Sequence, residues 1–136
     1  MNPLEPPDVH HLRAALGWLE LGDEGEAKTE LEQVAPALLN HPDVLELRWQ
    51  ILAQAKDWDG SLGIAVEIVK QVPERLFGWL HRAYSIRRAS GGGLKLALDA
   101  LRPALERFPK EPVIPYNLAC YTCQMGDVAE ARSWLA

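Results

Sequence analysis

Apolar residues recur along this chain at three- and four-residue steps. Leu12, Ala15, Leu16 and Leu19 do so first, then Leu45, Trp49, Leu52 and Ala53, then Leu76, Trp79, Leu80, Ala83 and Tyr84. That spacing lays each set on one face of a helix. No stretch sustains the period of two that marks a half-buried strand. The nearest exception is 64–69, where Ile64, Val66 and Ile68 are β-branched at alternate positions and locally favour extended structure. Ala65 and Val69 are apolar as well and break the alternation. Ser61, Leu62, Ala65, Ile68, Val69 and Val72 fall on one helical face, so the segment is read as helix.

The helical stretches are punctuated at even intervals. Gly22-Asp23, Lys56-Asp57, Ser90 to Gly93 and Gly126-Asp127 each separate two of them. Pro42, Pro73 and Pro109, 31 and 36 residues apart, each close one pair and open the next. A period in the thirties with two helices per unit predicts an all-α helical solenoid. First helices are expected near 9–21, 43–55, 75–89 and 113–125, and second helices near 24–40, 58–71, 93–108 and 128–136. Pro36 and Pro103 fall inside second helices, in the matching strings Pro36-Ala37-Leu38 and Pro103-Ala104-Leu105. Each removes a backbone donor and is expected to kink or split its helix. The repetition suggests a curvature shared by the two units. The 20 residues from Gly22 to Pro42, against 17 from Lys56 to Pro73, suggest an extra turn in the first unit's second helix. The triple glycine predicts a connection looser than the other turns.

Composition agrees with a single globular unit. The chain has 136 residues, 48% apolar and 24% charged, which is enough apolar content for a core and argues against global disorder. No apolar run approaches a membrane span, and the N-terminus has neither the basic flank nor the apolar run of a secretory signal. A net charge of −5 disfavours non-specific nucleic-acid binding. The charge is uneven: residues 1–46 hold ten acids against two bases, whereas 47–136 hold nine acids against twelve.

The punctuation carries a resemblance. Tyr116 to Tyr121 with Gly126-Asp127 and Glu130-Ala131 resembles the helix A string, turn and helix B start of the tetratricopeptide repeat (TPR) family. Ala15, Trp18, Gly22-Asp23 and Glu26-Ala27 match it in a first unit. Trp49, Asp57-Trp58 and Pro73 match in a second, and Trp79, Ala83, Ala97, Leu101, Ala104 and Pro109 in a third. The chain is similar to a small bacterial-type TPR protein. The resemblance implies a right-handed solenoid of antiparallel helix pairs, about 3.5–4 repeats. These are units of about 8–41, 42–74, 75–110 and 111–136, after an N-terminal extension of 1–7. Trp18, Trp49 and Trp79 are expected to fill the space between repeats.

In that family the first helices of the pairs line a concave surface. Carried over, the register gives a candidate groove of Leu12, Leu16, Glu46, Gln50, Leu80, His81, Tyr84, Arg87, Arg88, Tyr116 and Asn117. The positions where some TPR domains grip a C-terminal carboxylate hold Leu12, Leu16, Leu47, Leu80 and Tyr84 here, so that clamp is not expected. On α-helical spacing, His81, Tyr84 and Arg88 form one stripe. The stripe reads either as an anion contact or as a solvated basic helix end.

No catalytic constellation emerges. Cys120 and Cys123 form a C-x-x-C string without a second ligand pair for zinc and away from a helix start, so they are read as two reduced cysteines, suited to the cytoplasm. His10, His11 and His41 have no partner at metal-binding spacing, with His41 in a linker. The triple glycine lacks the strand and Lys-Ser/Thr of a phosphate loop. No cofactor or metal is implied. The reading is a non-catalytic protein-interaction module that takes a peptide or helix in its groove, its partner's acidic groups held by Arg87 and Arg88 and repelled by Glu20 and Glu46. The alternative is a homo-oligomer joined through the thinly covered last repeat. Neither nucleic acid nor membrane is an expected partner.

Overall fold

A computed structural model describes residues 2–136. Its described residues form α-helices throughout: α1 (Asp8–Glu20), α2 (Glu24–Leu31), α3 (Pro42–Gln54), α4 (Trp58–Gln71), α5 (Leu76–Arg88), α6 (Leu94–Leu101), α7 (Ala104–Arg107), α8 (Val113–Gln124) and α9 (Val128–Leu135). They stack as successive hairpins. α1 packs on α2, α3 on α4, α5 on α6, and α8 on α9, while α1 with α3, α4 with α5, and α6 with α8 join one hairpin to the next. This is an all-α helical solenoid.

One turn chemistry builds three of the four hairpins. Gly22, Lys56 and Gly126 take φ of 83°, 60° and 90°, the left-handed conformation that ends a helix. Their N–H groups bond back to the carbonyls of Leu19, Ala53 and Cys123, and those of Asp23, Asp57 and Asp127 bond to the carbonyls of Trp18, Leu52 and Thr122. Each aspartate carboxylate then accepts from the backbone three residues on: Glu26 at 3.0 Å, Gly60 at 2.9 Å and Glu130 at 3.0 Å. The spent carbonyls of one helix and the free N–H groups of the next are satisfied within two residues.

The fourth turn, 89–93, is built differently. α5 closes with the N–H of Gly93 on the carbonyl of Ile86, and a Cβ on Gly92 would lie 1.7 Å from that carbonyl oxygen. Gly92 is therefore a steric requirement, Gly91 and Gly93 take positive φ of 71° and 137°, and the connection, 89–93, runs longer than the other three turns.

The two internal prolines act differently, against the expectation of a shared curvature. Ahead of Pro36, Ala35 adopts an extended ψ of 134°, and α2 stops at Leu31. A proline ring clashes with the carbonyl four residues earlier, here Glu32, and disfavours helical geometry in the residue before it. The segment continues as a 3₁₀ turn, Pro36–Leu38, with the Ala35 N–H held at 2.8 Å by the Asp8 carboxylate. The extra turn expected in this helix is absent. At Pro103, Arg102 keeps helical angles and the chain only splits into α6 and α7.

His41 lies in the connection before α3, as expected, but does more than link. It caps α3, accepting from the Asp43 N–H at Nδ1 and donating from Nε2 to the Asn2 carbonyl at 2.7 Å. Leu4 also packs on the first core cluster, so residues before α1 lie against it.

The core falls into clusters between layers. Ala15, Leu19, Ala27, Leu31, Val34, Val44, Leu47 and Ile51 form one, and Leu45, Ile68 and Val72 the next. Trp79, Ala83, Ala97, Leu98, Leu101, Ile114 and Leu118 dominate the last. Alanine at 15, 27, 83, 97 and 131 lets paired helices approach. Trp49 and Trp79 are buried, as the repeat register implies, but Trp18 is 39% exposed. As the first pair, α1 and α2 have no preceding hairpin among the described residues to cover that side chain.

Candidate functional site

The site begins with a face of α5. Phe77, His81, Tyr84 and Arg88 follow one another at four, three and four residues and so share one stripe of that helix. Nδ1 of His81 donates to the Phe77 carbonyl at 2.7 Å, which leaves Nε2 as the lone-pair nitrogen of the neutral ring. The imidazole stacks on the Phe77 ring with 3.7 Å between centroids. Burial holds its pKa below 6.5, and the bond to the Phe77 carbonyl opposes that shift only in part.

Trp49 of α3 stands edge-on to this stripe, 4.4 Å from His81 and 5.8 Å from Tyr84 between centroids. Trp58, at the start of α4, tilts against Tyr84 at 5.7 Å. The indole of Trp49 is fixed from behind. Its N–H donates to Ser85 Oγ at 2.9 Å, and the Ser85 and Ser61 hydroxyls lie 2.8 Å apart. Ser61 donates to the Trp58 carbonyl at 3.1 Å. The only direction that satisfies every group runs Trp49 to Ser85 to Ser61 to the Trp58 carbonyl, tying α3, α5 and α4 through a buried polar line.

In front of these rings lies a hollow of about 620 Å³. Leu16, Leu19 and Glu20 of α1 form one wall, Trp49, Gln50, Ala53 and Gln54 of α3 the floor, and Trp58, His81 and Tyr84 the other wall. Gln54 donates to the Leu19 carbonyl at 3.2 Å and holds floor and wall together. A smaller hollow of about 220 Å³ continues it, lined by Leu12, Arg13, Leu16, Asp43, Glu46, Leu47 and Gln50. Leu16 and Gln50 belong to both, so the two are parts of one groove across α1, α3 and α5. Leu16 is 39% and Tyr84 41% exposed, large apolar surface left wet at its rim.

Charge is unevenly placed. Arg75 bridges two acids of the smaller hollow's lining, Asp43 at 2.8 Å and Glu46 at 2.6 Å, and Arg13 lines that hollow beside them. Partial burial nonetheless raises the Glu46 pKa, the more so because Asp43 is close, while Arg75 pulls it back. In the larger hollow Glu20 is the one formally charged lining side chain when His81 is neutral.

Of the groove residues expected from the repeat register, Leu12, Leu16, Glu46, Gln50, His81 and Tyr84 meet in these hollows. Leu80 packs instead on the last core cluster. Arg88 lies over the Tyr84 ring at 3.6 Å and within 5.3 Å of Trp58, donating to the Tyr84 carbonyl. Arg87 is half-buried on the adjoining face of α5 and lines neither hollow; nor do the exposed Tyr116 and the half-buried Asn117 on α8. Sequence reasoning placed Trp49 in the core and missed its second role in lining the groove, together with Trp58.

Cys120 and Cys123 lie within α8, half-buried and exposed respectively, as free thiols. No group of three or more His, Cys, Asp or Glu side chains placed to hold a metal ion occurs among the described residues. No described helix is long and apolar enough to cross a membrane.

No family model matches the sequence, and no curated protein is significantly similar to it. Among solved structures, the MamA RS-1 ArsTM double mutant shares the fold with a TM-score of 0.77. The two are 16% identical, and the match covers 97% of this chain and 73% of that one. At that identity the likeness is one of architecture, and it supports a TPR-like fold.

Proposed function

We propose that this chain is a non-catalytic protein-interaction module that binds a peptide or helix of another protein in the groove across α1, α3 and α5. The observation that carries this reading is the groove itself. It is a continuous hollow walled by Leu16, Trp58 and Tyr84, with the side-chain amides of Gln50 and Gln54 along its floor. A rigid aromatic wall beside adaptable amides is what an extended or helical polypeptide needs, with apolar anchors to desolvate and groups to meet its backbone. Helix pairs stacked as a solenoid present such a surface without rearrangement.

The test is selection of a randomised peptide library on the immobilised full chain. Binders should emerge, and Leu16→Asp and Tyr84→Asp should each abolish their binding while leaving the melting temperature near that of the parent. Binders indifferent to both substitutions would place the interaction elsewhere. A second reading, self-association through the last repeat, is favoured by Met125, Val128 and Leu135, which expose large apolar surface at that end. Light scattering at high protein concentration distinguishes it, because a monomer there removes this reading.

A further inference from the structure

The groove's charge and its aromatic lining together specify the chemistry of the segment it takes. We infer that this segment is basic, entering the larger hollow with a lysine or arginine side chain whose charged end meets Glu20. The inference rests on the groove reading above. Glu20 has no hydrogen-bond or ion-pair partner among the described residues, and it is the one formally charged side chain on the hollow's wall when His81 is neutral. On the opposite wall stand Trp58 and Tyr84. The aliphatic stem of lysine or arginine packs on such rings, and their negative faces attract the cation.

The molecule already shows that this aromatic pair takes a guanidinium. Arg88 lies over Tyr84 and near Trp58, outside the lining of the hollow. Arg87 and Arg88 therefore do not offer an acidic partner a pair of forks inside the groove. Arg88 instead places a like charge beside the entering cation and weakens its binding. The wider field has the opposite sign. Within residues 1–46, which include the α1 wall, ten acids stand against two bases, one of which, Arg13, lines the smaller hollow, where Arg75 also pairs Asp43 and Glu46. That excess draws a cationic segment toward the groove and speeds encounter more than it deepens final affinity.

The test reads the charge of peptides selected from the randomised library, then measures binding of the selected peptides to variants by fluorescence anisotropy. Enrichment in Lys and Arg beside apolar residues is expected. Glu20→Lys should weaken those peptides roughly tenfold at low ionic strength and less as salt is raised. Arg88→Ala should bind them more tightly than the parent. Glu20 is exposed, so its variant should keep the parent's melting temperature. Enrichment in acidic peptides that Arg88→Glu releases would overturn the inference and leave the groove reading standing. So would basic peptides lost in Tyr84→Asp but indifferent to Glu20→Lys. A library that yields no binder at all would take down both.

Discussion

The indole N–H of Trp49 donates to the hydroxyl of Ser85, 36 residues away in sequence and 2.9 Å away in space. Ser85 is fully buried, and its hydroxyl passes the interaction on to Ser61. Removing it leaves a buried indole N–H without a partner, which costs the desolvation of that group and not only the bond. Ser85→Ala should therefore destabilise the fold by about 1–3 kcal/mol in a denaturant titration. Ser61→Ala and Ser85→Ala should be non-additive in a double-mutant cycle, because they break the same line.

Trp79 and Trp18 separate core from surface. Trp79 is buried, donates to the Pro73 carbonyl at 2.9 Å, and has the guanidinium groups of Arg82 and Arg107 near its ring. Trp79→Ala should cost about 3–5 kcal/mol, a large share of a small domain's stability. Trp18→Ala, at a half-open site in the first pair, should cost well under half as much. Thermal melts of the two variants side by side check this contrast.

Lys56 holds the left-handed position that glycine occupies in two of the other turns. A side chain there is strained, so Lys56→Gly should be stabilising by about 0.5–1 kcal/mol after the added chain entropy of glycine is counted. The neighbouring Asp57→Ala removes the cap on the Gly60 N–H and should cost about 1 kcal/mol. Chemical denaturation resolves the opposite signs.

His81 gives stability a pH dependence of known sign. Burial depresses its folded-state pKa below the unfolded value near 6.5, so the unfolded chain takes up the proton first. The stability present above 6.5 should then fall as pH drops toward the folded value. Glu46, whose pKa is raised above 4.5, contributes with the opposite sign at lower pH. His81→Phe, which keeps an aromatic ring against Phe77, should flatten the change between pH 8 and about 6 in unfolding titrations. An unchanged slope would mean that another group governs it.

Helix positions and hairpin pairing were legible in the residues themselves, because they depend on local chemistry. The three- and four-residue apolar steps place α3, α4, α5 and α8 within a residue or two of their observed limits. The aspartates at 23, 57 and 127 cap helices through carboxylates that reach only three residues on. What proline does was not local in the same sense. Pro36 ends a helix where Asp8, from another helix, offers the Ala35 N–H a new partner, while Pro103 only splits one. The groove was legible as a register of first helices, which brought Leu12, Leu16, Gln50, His81 and Tyr84 onto one surface in advance. Its depth and charge were decided by the stack. Whether Leu80 faces the groove or the core and whether Trp58 closes the wall depend on how neighbouring hairpins rotate against one another. That rotation is set by packing between side chains far apart in the chain, and a periodicity within one helix carries no record of it.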